Sequence, residues 1–150
     1  SNSNPYTPAV NLVFALDESL KMMRDEGLDN IFLRHNKHKL AMSNAVKVLN
    51  LKLFADEKYL SPSVTAIKTE GMDAEQFRKT IKDKFDILLA GGQDHLKGKI
   101  FRVGHLGYVN DRDIITIISA ISNTLLSLGK ISAQQAGEAL VIASKYLEGN

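Results

Sequence analysis

The segment Gly98–Gly107, GKIFRVGHLG, holds the side chain with the clearest chemical potential in the chain. Arg102 stands between Phe101 and Val103 in a short apolar run that reads as a strand. From the pattern, two readings stay open. An arginine on an edge strand can sit in a surface ion pair, which contributes little. It can also act as a carboxylate receptor, because the planar guanidinium matches a carboxylate in two parallel hydrogen bonds and lysine cannot reproduce that fork. Gly98, Gly104 and Gly107 would let a ligand approach the backbone with no Cβ in the way. Glycines in such places also serve simply as turn and bulge punctuation.

The other candidates carry less. The chain has no cysteine, which removes disulfides, thiolate metal sites and cysteine nucleophiles together. AGGQDHLKGK has glycines and lysines but lacks the Gly-Lys-Ser/Thr ending of a phosphate loop. His35 and His38 are three residues apart on a predicted helix, a spacing that could pair two imidazoles on a metal, but no third ligand is evident. A solvated polar face is the expectation there. His95 and His105 complete the histidines, and neither an acid–base pair nor a serine elbow stands out.

Positioning these residues requires a set of elements that the periodicity supplies. Thr7-Pro8 predicts a helix start, with Thr7 as cap and Pro8 at the first helical position, and Gly27 predicts its stop. A second helix is predicted from Asp29 to Leu49, with Arg34, His35, Lys37, His38 and Lys39 on its polar side. Strands are predicted near 51–55, 63–69, 86–90 and 99–104. Between the middle two lies a helix capped by Asp73, with Gln76 as capping-box partner and Phe77, Ile81 and Phe85 facing inward. Asn110 and Asp113 open a helix with a broad apolar stripe from Ile114 to Leu128, and Ser132 with Gln135 opens the last. This order predicts an α+β fold: a small, mostly antiparallel sheet of three or four strands covered by helices.

The bulk numbers agree with a globular chain. At 150 residues, 44% hydrophobic and 24% charged, it can bury about two-thirds of its unfolded surface without disulfide or metal support. Nineteen basic against 17 acidic residues leave a net charge of +2, which gives no electrostatic footprint for nucleic acid or membrane. The opening SNSNPYTP is polar and shows no secretory signal, and Ser1 to Ser3 are set aside from the fold reading. The apolar run IITIISAISNTLLSLG is broken by Ser, Thr and Asn and reads as a buried helix, being short of the ~20 residues of a span.

From TPAVNLVFALDESLKMMRDEGLDNIFLRH to ISAISNTLLSLG, the chain resembles the C-terminal part of class V aminotransferases. The nearest branch is that of alanine–glyoxylate and serine–pyruvate aminotransferases, which includes proteins labelled soluble hydrogenase small (tritium-exchange) subunit. The most specific matches are the TPAV…ESL…GLDNIF.RH opening and the GG…GKIFRVGHLG strand pair, and the similarity covers roughly Tyr6 to Gly129.

The resemblance implies the small C-terminal domain of a fold-type I enzyme dependent on pyridoxal 5′-phosphate (PLP). Its substrates would be small amino acids and 2-oxo acids, and it would work as a cytoplasmic homodimer. Residues 1–28 would form the connecting segment and helix from the large domain, and 130–150 a C-terminal extension. Arg102 would bind the substrate α-carboxylate, and Thr7 would approach the cofactor phosphate of the partner subunit. Some members carry a phosphate-binding tyrosine three residues before that threonine; Asn4 stands there, and Tyr6 is not its equivalent. No lysine here occupies the family's Schiff-base motif, so the segment alone would hold no cofactor and would not transaminate. Two rivals remain open: a stand-alone small-molecule-binding regulatory module, and a subunit of a soluble hydrogenase complex.

Overall fold

A computed structural model describes residues 6–148; Asn4 lies outside them. Five helices and four strands run in the order α1 (Val10–Glu26), α2 (Leu28–Val48), β1 (Lys52–Leu53), β2 (Val64–Lys68), α3 (Ala74–Phe85), β3 (Ala90–Gly91), β4 (Ile100–Gly104), α4 (Asp111–Ser127) and α5 (Ala133–Leu147). The predicted α+β class is the observed one. The chain divides into two compact units, 1–34 and 35–150, with the boundary inside α2.

In the first unit, α1 has no buried residue, and Val10, Val13 and Phe14 are among its exposed apolar side chains. It ends at Gly27, whose φ of 84° lies in the left-handed region that favours glycine. Glu26 receives two hydrogen bonds from Arg34, at 2.6 and 2.9 Å, the forked geometry that a carboxylate and a guanidinium share. The predicted Thr7 cap is not observed. The helix begins at Val10 behind Ala9, which offers no side-chain oxygen.

The second unit is built on one sheet of order β1-β2-β4-β3, with every neighbouring pair antiparallel. β2 and β3 therefore run parallel with β4 inserted between them, a split βαβ arrangement closed by α3. The core joins Met42, Val46 and Leu49 of α2, Ile67, Phe101 and Val103 of the sheet, Phe77 and Ile81 of α3, and Ile114, Ile118 and Ile121 of α4. Ala139, Ala143 and Leu147 add α5 to the same core. Phe77 and Phe101 meet with ring centroids 5.1 Å apart, a favourable aromatic spacing.

Local chemistry fixes the helix starts. Asn110 with Asp113 and Ser132 with Gln135 open α4 and α5 as predicted, and each pair forms a capping box. Asp73 caps α3 through the Glu75 N–H, without the Gln76 partner expected for it. Phe85 proves 38% exposed rather than inward-facing, one turn beyond the point where α3 leaves the core.

The third strand is shorter than predicted. Only Ala90 and Gly91 pair with β4, because Asp86 adopts a left-handed φ of 55° at the end of α3 and turns the chain before Leu89 enters the core. The glycine that follows it, Gly92, is demanded by crowding. A Cβ on Gly92 would sit 2.1 Å from the Leu96 carbonyl oxygen, whereas one on Gly104 would meet nothing within 4 Å. Gly92→Ala should therefore destabilise the chain by about 2–3 kcal/mol, the scale of an overpacked site. Gly104→Ala should stay within about 0.5 kcal/mol. Urea unfolding midpoints of the two variants against the parent chain test the contrast.

Candidate functional site

Strand parity divides the sheet into two chemically different faces. Thr65 and Ile67 of β2 and Phe101 and Val103 of β4 are buried beneath the helices. Val64, Ala66 and Lys68 of β2 and Ile100, Arg102 and Gly104 of β4 alternate with them and lie on the opposite face. The register puts Arg102 between two alanines, Ala66 on β2 and Ala90 on β3. Both cross-strand neighbours of the arginine are therefore short side chains.

Arg102 is half-buried, and its Nε donates to the Gly91 carbonyl at 3.0 Å. Among the described residues it makes no ion pair. The Nε anchor fixes the plane of the guanidinium while leaving its two terminal nitrogens for another acceptor. Beside it, Gly104 faces open space, whereas Gly98 and Gly107 have φ of 75° and 83° and serve the turns at either end. The surface ion-pair reading of Arg102 is thus absent within the described residues, and two of the three glycines are turn punctuation. Thr7 is exposed in the first unit.

Immediately after β4, His105 is fully buried and hydrogen-bonded at both ring nitrogens. The Pro62 carbonyl, 3.0 Å from Nδ1, can only accept, so Nδ1 carries the proton and Nε2 accepts from the Thr65 hydroxyl at 2.9 Å. With its own N–H donating to the Ser63 carbonyl at 2.9 Å, His105 clasps the end of the Arg102 strand to the start of β2. Its pKa is pushed down to about 4, chiefly by burial, with nearby His38 and His35 adding to the shift against the pull of the Pro62 carbonyl.

His38 and His35 correct an expectation. Predicted on a solvated face, both are buried. They share the helical stripe of Met42, Ala45 and Leu49, and His38 Nε2 donates to Asp111 Oδ1 at 2.8 Å. Lys37 reaches the other oxygen of the same carboxylate at 2.7 Å. Burial works against the Asp111 charge, but the Lys37 and His38 hydrogen bonds outweigh it and hold its pKa below the ordinary value. His38 ties α2 to the first turn of α4. No three His, Asp or Glu side chains among the described residues form a metal-binding group, and no described helix is long and apolar enough to cross a membrane.

The remaining feature is a groove of about 430 Å³ at the Lys68–Ile100 end of the same open face, bordered also by Phe54, Met72, Leu96 and Lys99. Sequence reasoning missed both it and the alanine pair that flanks Arg102. Either would have required the β2–β4 register, which no local pattern carries.

Comparison with known proteins adds the family. A soluble hydrogenase 42 kDa subunit of Anabaena cylindrica is 54% identical over 128 residues, covering 85% of this chain and 33% of that protein. Serine–glyoxylate aminotransferase of Methylorubrum extorquens is 34% identical over 149 residues, covering 97% of this chain and 36% of that protein. The chain is homologous to the C-terminal part of class V aminotransferases. It superposes on the ureidoglycine–glyoxylate aminotransferase of Bacillus subtilis with a TM-score of 0.85 at 29% identity, covering 93% of this chain and 37% of that one. A pyridoxamine–pyruvate aminotransferase from Mesorhizobium loti shares the fold at a TM-score of 0.91 and 24% identity. No protein-family model matches the chain. The chain spans about a third of the length of the curated aminotransferase relatives it matches.

The depressed pKa of His105 makes acid sensitivity measurable. An unfolded histidine titrates near 6.5, so between about pH 6.5 and 4 the unfolded chain binds a proton that the folded chain refuses. Stability is full above that window and is lost as pH falls through it, by about 3 kcal/mol at roughly 1.4 kcal/mol per unit. Denaturant titrations at stepped pH should show this slope, and His105→Asn should flatten it.

Proposed function

We propose that this chain is the substrate-carboxylate-binding small domain of a PLP-dependent aminotransferase, one that moves an amino group from an amino acid to a 2-oxo acid. The observation that carries the reading is Arg102, oriented through Nε on the Gly91 carbonyl, flanked by Ala66 and Ala90, and without an ion pair among the described residues. That arrangement presents a fork to an incoming carboxylate on a face where no larger side chain of the same row competes for the space next to it. Relatives named as serine–glyoxylate and ureidoglycine–glyoxylate transaminases, both of which handle small carboxylate substrates by name, support it.

The described residues do not fit the whole cofactor. No lysine is among the buried side chains, whereas an aldimine lysine works from within a closed pocket, and PLP supplies its electron-sink chemistry only when so held. The reactive lysine and most cofactor contacts would therefore come from the remaining two-thirds of the protein. What this chain contributes is binding and orientation. Arg102 holds the α-carboxylate, and the His105 clasp holds the strand that carries Arg102. Residues 1–28 would join the domain to the rest of a cytoplasmic homodimer, with Thr7 near the partner subunit's cofactor phosphate and 130–150 as an extension packed on α4.

The hydrogenase names of two relatives give the second reading. The chain has no cysteine, so this segment offers no thiolate to nickel, iron or an iron–sulfur cluster.

Arg102→Lys in the full-length enzyme keeps the charge and loses the fork. It should lower kcat/KM for both the amino donor and the 2-oxo acceptor by about 1.5–3 kcal/mol of binding, the scale of a hydrogen bond to a charged group. Cofactor absorbance should persist. Unchanged kcat/KM for both substrates would return Arg102 to a structural role.

A further inference from the structure

The open face carries a second cation beside Arg102. Lys68 pairs with Ile100 across the β2–β4 ladder, two residues along from the Ala66–Arg102 pair and on the same face. Diagonal positions of this kind lie about 7–8 Å apart. Lys68 is half-buried, lines the groove, and makes no ion pair among the described residues.

Its ammonium has no direct ion-pair partner among the described residues, and Glu70 lies near enough to feel its charge. The other charged residues of the groove are Lys99 and Glu70. Glu70 is committed to Lys52 at 2.6 Å. The local balance of Lys52, Lys68 and Lys99 against Glu70 is positive. Between Lys68 and Arg102 stand Ala66 and the buried Ile100, with the exposed Phe54 at the side: the Phe54 N–H donates to the Ala66 carbonyl, extending the apolar row. Two cations separated by a short hydrocarbon floor match a short hydrocarbon chain with a carboxylate at each end.

We propose that Lys68 and the groove beside it form a subsite for a second carboxylate of the substrate, so that the assembled enzyme favours short dicarboxylic amino and 2-oxo acids over monocarboxylic ones. This rests on the reading of Arg102 as the α-carboxylate receptor. Lys68 is a specificity-determining residue in this arrangement: Arg102 engages every substrate, and Lys68 only those with a distal anion. A lysine suits the role because its ammonium is a compact charge on a flexible stem, able to follow carboxylates at slightly different reach.

The test uses the full-length holoenzyme and two readouts. Calorimetric titration with succinate and with butyrate, neither of which carries an amine or keto group, reads the subsite apart from turnover. Steady-state kinetics with aspartate and with alanine reads selectivity. The wild type should bind succinate roughly 10- to 100-fold more tightly than butyrate, the range of one charge-assisted hydrogen bond. Lys68→Met, which keeps the stem and removes the charge, should erase most of that gap and lower the aspartate-to-alanine kcat/KM ratio at least about tenfold. Lys68→Arg should restore a large share of the ratio. Arg102→Lys separates the two readings: it should weaken both ligands together. If Arg102→Lys weakens both but Lys68→Met leaves the succinate preference intact, the Lys68 subsite is wrong and the Arg102 reading stands. If Arg102→Lys affects neither, the underlying reading falls as well. A wild type with no preference for succinate, or a Lys68→Met variant that weakens both ligands equally, overturns the proposal.

Discussion

The antiparallel pairing of β2 with β4 is the constraint on which the rest of the second unit depends. Its five residue pairs, from Val64–Gly104 to Lys68–Ile100, are the longest ladder in the sheet. Because side chains alternate with a period of two, this single register assigns Thr65, Ile67, Phe101 and Val103 to the helices and Ala66, Lys68, Arg102 and Gly104 to the other face. A slip of one residue would bury a guanidinium and expose a phenylalanine. The hydrophobic side of the ladder thus protects the polar side: the core enforces the position of Arg102 without touching it.

The polar contacts around this ladder act as fasteners at its ends. His105 joins the exit of β4 to the entry of β2 through three hydrogen bonds, two made by its neutral imidazole and one by its backbone N–H. His38 joins α2 to α4 through Asp111, whose second oxygen is held by Lys37. Buried polar groups are costly unless satisfied, and these are arranged where two elements must meet at a fixed angle. His38 and His105 thus serve architecture.

How much of this was legible depended on whether the signal was local. The starts of α4 and α5 rest on residues three apart and were readable from Asn110–Asp113 and Ser132–Gln135. The sheet class was readable from alternation. Thr7-Pro8 misled because a good cap-and-proline pair precedes the true start by two residues. DILLAGG misled because an apolar run can serve as a buried connector as easily as a strand, and the left-handed Asp86 that decides it leaves no compositional mark. His35 and His38 were misplaced by residue type, although their spacing to Met42, Ala45 and Leu49 already set them on the buried stripe. The alanines that flank Arg102 come from strands distant in sequence, so only the register reveals them.

The edges of this sheet are as short as its face is open. β1 and β3 contribute two residues each, and β3 runs straight into the crowded turn at Gly92. Edges this brief give little template for an added strand. Any layer that covers the sheet must therefore read side chains across its face, in the manner of an interface between domains, and cannot simply extend the hydrogen-bond ladder. The same brevity guards against edge-to-edge aggregation, so the fold can keep a broad open face for chemistry without offering a free strand to a second chain.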